Sequence, residues 1–458
     1  MQRLFTKMLL LCLLLITGCS ADNTSNNSNA GLWTWMAGDN STSQSGSYGT
    51  RGTPSPSNKP GARYGSASWT DNSGKMWLFG GYGYAGGSVS GPLNDLWSWD
   101  GTSWTWQAGD SVTDQMAVYG AKGIAAATNK PSARQDAISW VDASGNLWLF
   151  GGLGYDVNGV WSQLNDLWRW DGTNWTWVSG DTVSATAGIY GTKGAVAAAN
   201  KPGARSGAVT WSDRTGNLWL FGGLGYDENG GWGDLNDLWR WDGTNWAWIS
   251  GDNVINQPGE YGSKGAPTTA NKPGSRQFAV SWMDRSGNFW LFGGSGTGKS
   301  GAGNSGYLND LWKWDGTNWT WIAGDDAPSN SAVYGTKGVA AATNKIGGRL
   351  SAVSWADASG NFWIFGGRGT DGSGVTGSSL NDLWRWDGTN WTWMAGETLN
   401  SQSGVYGIKG TAATANTPGA RYGAVSWADS SGNLWLFGGN GYSNSSFPGY
   451  LNDLWQYR

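Results

Sequence analysis

The chain has 458 residues, a formal net charge of −4 and no histidine, and it contains 77 glycines and 37 tryptophans. Without histidine, Ser-His-Asp catalysis, Cys-His catalysis and histidine-based metal sites are excluded, and without a basic stripe nucleic-acid binding is not expected. We therefore predict no catalytic triad, no metal site and no cofactor. The high glycine content and the 14% of charged residues are typical of a turn-rich all-β protein.

An export signal occupies the start of the chain. Arg3 and Lys7 precede an apolar run over residues 8–17, which is too short to cross a bilayer. The run leads into the string LITGC, which is similar to a bacterial lipobox, and this resemblance implies that Cys19 is lipidated and becomes the mature N-terminus. We predict a signal peptide over residues 1–18. The alternative is an ordinary signal peptide in which Cys19 is incidental.

The predicted anchor sets the compartment. Cys12 lies in the leader, so the mature chain has no second cysteine and cannot form an internal disulfide. Several acyl chains at Cys19 give durable attachment to a membrane. In Gram-negative bacteria, a residue such as Ser20 after the cysteine sends a lipoprotein to the outer membrane; which side of that membrane it faces is left open. Residues 19–30 are then the lipidated cysteine and a polar tether.

A repeat fills the rest of the chain. The string LNDLW occurs six times, at spacings of 71, 71, 73, 72 and 71 residues, and starts at Leu93, Leu164, Leu235, Leu308, Leu380 and Leu451. A regular period of this length indicates one small structural unit that is copied six times.

Each copy contains four short strand patterns. In the second copy these are RQDAISW, NLWLFGG, LNDLWRWD and WTWVSG, with turn residues at 142–146 and 172–174 between them. Tryptophan, phenylalanine and leucine suit a packed, pleated surface, and no run has a helical period with caps. Repeated four-stranded antiparallel units predict a β-propeller.

The ends of the chain and the tryptophans set the number of blades at six. The last copy stops at Arg458 without a fourth strand, whereas residues 31–37 contain the string GLWTW, which matches a fourth strand. Joining the two completes a sixth blade, and each blade then carries six tryptophans. The exceptions are Tyr457, which replaces one tryptophan, and the additional Trp161 and Trp232. We predict an all-β, six-bladed propeller over residues 31–458, closed by the N-terminal strand in the C-terminal blade.

The connections divide into tight turns and long loops. The turns between the first and second strands and between the third and fourth strands are short in every copy. The loops between the second and third strands run to about ten residues, and those between blades to about twenty-five. Because alternate connections of an up-and-down blade emerge on the same face, both sets of long loops are expected on one face, where function usually lies.

The pattern resembles kelch repeats, a family that includes the central domain of galactose oxidase. The resemblance is carried by a double glycine after the second strand, by the LNDLW strand, by the fourth-strand tryptophan and by an arginine that opens each first strand: Arg63, Arg134, Arg205, Arg276, Arg349 and Arg421. It implies a propeller and says little about function. Galactose oxidase chemistry needs copper held by histidine and tyrosine, so the resemblance does not extend to that activity.

Polar residues that repeat in all copies are expected to be structural. The aspartates of LNDLW could bind calcium, but pairing with the repeated arginines or with backbone N–H groups is favoured. Segments such as 357–363 resemble the Asp-box of sialidases with one extra residue, and a tight hairpin explains them. The interblade loops repeat a Tyr-Gly-x-Lys-Gly motif, first seen in full at 119–123, which is expected to pack as a unit and to ring one face with cations.

Residues that break the sixfold pattern are the candidate ligand-binding residues. One group lies in the loops between the second and third strands: Tyr84, Tyr155, Asp156, Trp161, Tyr226, Asp227, Glu228 and Trp232. Another follows the repeated arginines at the mouth of the central channel: Gln135, Asp136, Gln277 and Phe278, beside Tyr64, Ser206, Leu350 and Tyr422. Aromatic rings with nearby carboxylates suit sugars. The alternative for the loop group is that its aromatic rings only hold their own loops.

The function favoured by these features is that of a non-enzymatic, monomeric binding or scaffold lipoprotein of the cell envelope, whose long-loop face binds a glycan or a protein partner. The alternative is an envelope enzyme that acts on carbohydrate, such as the six-bladed kelch proteins that interconvert sialic acid anomers. Mutarotation needs a positioned acid and base, which Asp, Glu and Arg can supply without histidine or metal. A purely structural envelope component is a third hypothesis, so whether the chain is an enzyme is left open.

Overall fold

The protein is a six-bladed β-propeller, as predicted. The structure is a computed structural model that describes residues 31–299 and 305–458. These residues form thirty β-strands in six sheets. They contain no helix, and hence no helix long and apolar enough to cross a membrane.

The strands follow the same order in every blade: an inner strand in two pieces, then three longer strands toward the outside. Blade 1 contains β2 (Arg63–Tyr64), β3 (Ala67–Thr70), β4 (Met76–Tyr84), β5 (Ser90–Trp99) and β6 (Trp104–Ala108). Blade 2 contains β7 (Arg134–Gln135), β8 (Ile138–Val141), β9 (Leu147–Tyr155), β10 (Trp161–Trp170) and β11 (Trp175–Ser179). Blade 3 contains β12 (Arg205–Ser206), β13 (Val209–Ser212), β14 (Leu218–Tyr226), β15 (Trp232–Trp241) and β16 (Trp246–Ser250).

The second half of the ring repeats this arrangement. Blade 4 contains β17 (Arg276–Gln277), β18 (Val280–Met283), β19 (Phe289–Thr297), β20 (Ser305–Trp314) and β21 (Trp319–Ala323). Blade 5 contains β22 (Arg349–Leu350), β23 (Val353–Ala356), β24 (Phe362–Gly369), β25 (Ser378–Trp386) and β26 (Trp391–Ala395). Blade 6 contains β27 (Arg421–Tyr422), β28 (Val425–Ala428), β29 (Leu434–Tyr442) and β30 (Pro448–Tyr457), and it is completed by β1 (Trp33–Ala37).

Both ends of the described chain close the ring. Strand β1 pairs antiparallel with β30, which places Trp33 opposite Tyr457 and Trp35 opposite Trp455. The inner strands contact one another in the order β3, β8, β13, β18, β23 and β28, and β28 contacts β3 again. The predicted closure by residues 31–37 is therefore confirmed.

The hydrophobic core lies between neighbouring blades. Between blades 2 and 3, Trp140 and Phe150 pack against Trp246, with ring centroids 6.5 Å and 5.6 Å away. The indole of Trp140 also donates a hydrogen bond to the carbonyl of Trp219 in blade 3, at 2.9 Å. Because equivalent clusters join each blade to the next, a blade cannot bury its aromatic face alone.

The double glycine allows the next blade to approach. Gly151 and Gly152 have φ values of 60° and 95°, and the pairing of β9 with β10 shifts register at this point. A Cβ atom at Gly151 would lie 2.8 Å from the carbonyl oxygen of Arg205 in blade 3. Both the left-handed backbone and the close contact therefore require glycine.

A buried ion pair joins the inner and third strands of each blade. In blade 2, the guanidinium of Arg134 donates to Asp166 Oδ1 at 2.6 Å and to Oδ2 at 2.8 Å, and both side chains are fully buried. Asp166 also accepts from the hydroxyl of Tyr119 and the indole of Trp168. The favoured pairing of the repeated aspartates is thus confirmed: Arg63–Asp95, Arg134–Asp166, Arg205–Asp237, Arg276–Asp310, Arg349–Asp382 and Arg421–Asp453.

The Asp-box-like segments are tight hairpin turns, as expected. In blade 5, Asp357 accepts the backbone N–H groups of Ser359 and Asn361 at 2.9 Å and the indole of Trp363 at 2.8 Å. One aspartate therefore closes the turn and fixes the orientation of a tryptophan of the second strand.

The interblade loops begin on the long-loop face, as expected, and then continue along the outer edge of the ring. Asp114, early in the loop before blade 2, donates its backbone N–H to the carbonyl of Pro92 in β5 at 3.0 Å. In the loop before blade 2, Gly123 donates its N–H to the carbonyl of Trp177 in β11 at 2.8 Å, and Ala126 forms a bridge with Trp175. Lys122 lies 4.8 Å from the ring centroid of Trp177. The loop thus covers the edge strand, and its cation stacks on the outer rim instead of ringing a face.

Candidate functional site

At the mouth of the central channel, the six copies carry side chains of different chemistry. Three positions per blade form its wall: the residue after the repeated arginine, the residue after the double glycine and the residue before LNDLW. They are cross-strand neighbours, as Tyr64, Tyr82 and Pro92 show in blade 1. In blade order, these wall residues are Tyr64, Gln135, Ser206, Gln277, Leu350 and Tyr422; Tyr82, Leu153, Leu224, Ser295, Arg368 and Asn440; and Pro92, Gln163, Asp234, Tyr307, Ser379 and Tyr450.

Six backbone hydrogen bonds form a ring around the channel beneath the mouth. Each N–H group donates to the carbonyl of the preceding blade, as from Asp136 to Gly65 at 2.7 Å, and Gly65 donates to Gly423 at 2.8 Å to complete the circle. A cavity of about 160 Å³ lies on the axis at this level. The ring residues are Gly65, Asp136, Gly207, Phe278, Ser351 and Gly423, and all have φ between 49° and 64°.

Two ring residues carry large side chains despite this left-handed backbone. Such a conformation costs on the order of 1 kcal/mol in a residue other than glycine. The carboxylate of Asp136 extends over Gly65, where a Cβ atom would lie 2.5 Å from Oδ1, and the ring of Phe278 extends over Gly207, where a Cβ atom would lie 2.7 Å away. The neighbouring glycines therefore make room for Asp136 and Phe278 at the axis.

One side of the mouth, here called the acidic half, consists of Gln135, Asp136, Asp234 and Gln277. Asp136 accepts a hydrogen bond from the Gln135 amide at 2.8 Å, and Asp234 accepts one from the Gln277 amide at 2.9 Å. Burial raises the pKa of Asp136 to about 6 and that of Asp234 to about 6, and the glutamine hydrogen bonds lower each pKa only in part. Both carboxylates are therefore mostly ionised at neutral pH, against a desolvation cost, and each keeps a protonated fraction.

These two carboxylates differ from the other buried and half-buried aspartates in residues 31–299 and 305–458. Each of the others pairs with an arginine or a lysine or accepts backbone N–H groups, as Asp95 does with Arg63, Asp110 with Lys130 and Asp71 with the backbone. Asp136 and Asp234 have a neutral amide as their side-chain donor. A half-buried carboxylate without a counter-charge is a common sign of a ligand site.

The opposite side of the mouth, here called the aromatic half, is a cluster of tyrosines from blades 1 and 6. Tyr64 stacks on Tyr450 with ring centroids 5.4 Å apart and lies 6.2 Å from Tyr422. Tyr82 and Tyr84 lie 5.9 Å and 6.1 Å from Tyr450. Burial raises the pKa of Tyr64 to about 12, with a smaller contribution from the charge of Asp136. The two halves therefore meet at Tyr64.

The loop aspartates that the sequence proposed as ligand contacts lie buried in their turns. Asp156 accepts backbone N–H groups from Asn158, Val160 and Ser184, and Asp227 accepts the equivalent groups in blade 3. Both carboxylates thus hold their own loops, which leaves few lone pairs for a ligand.

The remaining loop candidates are spread along the outer part of the long-loop face. Trp161 packs edge-on against Tyr155 at 4.9 Å, and the Tyr155 hydroxyl donates to Asp114 at 3.2 Å. In blade 3, Trp232 lies opposite Tyr226 and is 53% exposed. Glu228 of the same blade accepts a hydrogen bond from the side-chain amide of Asn253. Of the loop group, Tyr84 is the residue that joins the aromatic half.

Sequence reasoning placed Gln135, Asp136, Gln277 and Phe278 at the mouth but did not select Asp234, Tyr82, Tyr450 or Arg368. Asp234 lies directly before LNDLW, and Tyr82 and Arg368 directly follow a double glycine. The signal that could have found them is a variable residue beside a constant string, because such a position changes chemistry while its backbone stays fixed.

Two larger crevices lie on the outer rim, between blades 1 and 2 and between blades 4 and 5, with volumes of about 660 Å³ and 700 Å³. They are lined by equivalent residues, including ion pairs such as Lys130–Asp110 at 2.7 Å. Their aspartates are already paired with lysines and their chemistry repeats, so the mouth is the stronger candidate. No group of three or more potential metal ligands occurs in the part of the chain that the structure describes.

Comparison with known proteins bears on the fold. No protein-family model matches the sequence, and no curated protein matches it. The structure is similar to that of YjhT, with 14% identity and a TM-score of 0.50, over 86% of this chain and 95% of that one. It is also similar to a fungal alcohol oxidase of the AA5 family in complex with copper, with 14% identity and a TM-score of 0.43, over 88% of this chain and 63% of that one. At this identity, the likeness to YjhT shows a shared fold alone.

Proposed function

We propose that the protein is a saccharide-binding lipoprotein of the bacterial cell envelope and that it binds sugar at the channel mouth. The observation that carries the proposal is the pair Asp136 and Asp234, two half-buried carboxylates without a counter-charge. Asp136 lies next to the tyrosine cluster, close enough for its charge to act on Tyr64. Sugar hydroxyls donate to carboxylates and amides, and the apolar faces of sugar rings stack on aromatic rings.

The rigidity of the mouth supports this proposal. Its wall residues sit on strands rather than on loop tips, and Asp136 and Phe278 sit in the hydrogen-bonded ring. A site built on strands loses little conformational entropy when it binds a ligand. Asp136 and Phe278 both have a φ of 55°, which costs conformational free energy in residues other than glycine. A purely structural ring would avoid this cost by having glycine at both positions.

The binding site is tested by screening the full chain against a glycan array and measuring the dissociation constants of the hits by calorimetry. We expect Asp136→Asn to weaken binding by about tenfold or more, because a charge-assisted hydrogen bond to the sugar is lost. The control is Asp110→Asn, which removes a carboxylate from the outer rim, away from the mouth, and is expected to leave binding unchanged.

A second variant distinguishes the mouth from the loops. If Trp232→Ala abolishes binding while Asp136→Asn has no effect, the site lies in the loops between the second and third strands. If no glycan binds to the full chain, the saccharide proposal is wrong, and a protein partner or a structural role becomes the better hypothesis.

The envelope location rests on residues outside those that the structure describes, since Cys19 lies in the segment 1–30. Support comes from the apolar leader and the LITGC string. We expect labelled palmitate to be incorporated into the full chain in a bacterial host and to be lost in Cys19→Ala. Incorporation that persists in the variant would contradict lipidation at this residue.

A mutarotase is the second candidate, favoured by the pKa values of about 6 for Asp136 and Asp234. A carboxylate can take the proton of the anomeric hydroxyl while a carboxylic acid protonates the ring oxygen; the ring C–O bond breaks, and reclosure returns both protons. Exchange between sugar anomers, measured by NMR, should then exceed the background rate and fall in Asp136→Asn. Background exchange across several sugars would exclude this activity.

A further inference from the structure

We infer that the sugar bound at the mouth carries a free amino group and is therefore cationic at neutral pH. The inference rests on the proposed function and adds the charge of the ligand to it.

The charge of the mouth is negative. Among the wall and ring residues, the charged side chains are Asp136, Asp234 and Arg368. Arg368 belongs to blade 5, whereas the carboxylates belong to blades 2 and 3, and Arg368 is engaged with the carbonyl of Gly377 at 2.8 Å and the ring of Tyr422 at 5.9 Å. The acidic half is thus left without a cation among its described contacts.

The repeated lysines are engaged elsewhere. One set pairs with aspartates on the outer rim, as Lys130 does with Asp110, and another set lies over outer tryptophans, as Lys193 does over Trp248 at 4.2 Å. These repeated cations cannot reach the mouth without leaving their partners. A cation that pairs with Asp136 and Asp234 is therefore best supplied by the ligand.

An ammonium group fits this environment better than a hydroxyl group. A hydroxyl group donates a hydrogen bond to a carboxylate but leaves the negative charge of the half-buried carboxylate uncompensated. An ammonium group supplies both the hydrogen-bond donors and the opposite charge. The tyrosine faces beside Asp136 add cation–π attraction for the same group. A sugar with a carboxylate would instead meet Asp136 and Asp234 as like charges.

The test is calorimetry of the full chain with three probes: a tetramer of β-1,4-linked glucosamine, its fully N-acetylated counterpart and sialyllactose. At pH 6.5 and low salt, where the amines of the tetramer are largely protonated, we expect the glucosamine tetramer to bind about tenfold more tightly than the N-acetylated one. This preference should shrink as the salt concentration rises, because salt screens the charges.

The variants identify the groups that create the preference. Asp136→Asn and Asp234→Asn should each reduce the preference for the amino form while both tetramers still bind, and Asp110→Asn on the outer rim should leave it at the wild-type ratio. Melting temperatures of the three variants show that each is folded.

Each other outcome has a distinct meaning. Equal affinity for the two tetramers overturns the cationic inference and leaves the saccharide proposal intact. Tighter binding of sialyllactose overturns the inference and favours an acidic sugar that Arg368 recognises. If none of the three probes binds at millimolar concentration, the inference is wrong, and the glycan array then decides whether the proposed function is wrong as well.

Discussion

The blade interior and the channel mouth use aspartate in opposite ways. In the interior, Asp237 accepts two hydrogen bonds from Arg205, one from Tyr190 and one from Trp239, and it is fully buried. At the mouth, Asp234, three residues earlier in the same strand, has the Gln277 amide as its side-chain donor. The contrast separates residues that build the fold from residues that are available to a ligand.

The two regions also differ in how they repeat. The interior ion pair occurs in all six blades, so its loss in one blade breaks a pattern on which the packing of the fold depends. The carboxylates of the mouth occur in single blades, at positions where other blades carry glycine, phenylalanine, serine, proline, glutamine or tyrosine. Substitutions should therefore lower stability in the interior and raise it, or alter binding, at the mouth.

The largest effect is expected in the interior. Arg205→Ala leaves Asp237 buried without its partner, and we expect the free energy of unfolding to fall by about 3–5 kcal/mol. Denaturation by urea, followed by tryptophan fluorescence, measures the loss. The matched control is Arg214→Ala on an exposed turn of the same blade, for which about 0.5 kcal/mol or less is expected. Similar losses for both variants would contradict the structural role of the pair.

A smaller effect of opposite sign is expected at the mouth. The pKa of Asp136 is about 6 in the folded protein, and an aspartate in an unfolded chain has a pKa of about 3.9. Because the folded pKa is the higher one, ionisation destabilises the fold at pH above 6, and this cost disappears as the pH falls towards 4.

Asp136→Asn should therefore raise the free energy of unfolding by about 1–2 kcal/mol at pH 7.5 and by little at pH 4. Thermal denaturation over this pH range measures the difference. Asp110→Asn, which breaks a partly exposed pair with Lys130, should instead lower stability by about 1 kcal/mol or less. A destabilised Asp136→Asn at pH 7.5 would place Asp136 among the structural aspartates.

The smallest effect is expected on the outer rim, where repeated cations lie over tryptophans. Lys193 lies 4.2 Å from the ring centroid of Trp248, and Lys193→Met should lower the free energy of unfolding by about 0.5–1 kcal/mol. Lys75→Met, at 5.9 Å from the ring of Trp77, should lower it less. An unchanged melting temperature in Lys193→Met would show that the interblade loop is held by its backbone hydrogen bonds.

The architecture could be predicted because the sequence features that determine it recur in every copy. The LNDLW spacing, the tight turns and the incomplete last copy determine six blades and a ring closed by residues 31–37, and the structure agrees. The part of the interblade loops that runs along the outer edge could not be predicted in this way. It depends on unpaired carbonyls of the outer strands, such as that of Trp177, which attract the loop only after the blade exists.

The candidate site was predicted in part. Asp136 and Phe278 follow the repeated arginines and break the sixfold pattern, so they could be found from the sequence. Asp234 and Tyr450 were missed because each joins the mouth through cross-strand neighbours, although both directly precede the constant string LNDLW. Conversely, Asp156 differs from the sixfold repeat for a reason unrelated to ligand binding, because its carboxylate closes its own turn.

The hydrogen-bonded ring beneath the mouth runs in one sense around the axis, so it has a direction of rotation but no first blade. The two ends of the described chain also meet, because Gly31 donates its backbone N–H group to the carbonyl of Arg458. The starting point of the propeller is therefore arbitrary with respect to its contacts. A circular permutant that links these ends and opens an interblade loop would keep every blade, the ring and the mouth.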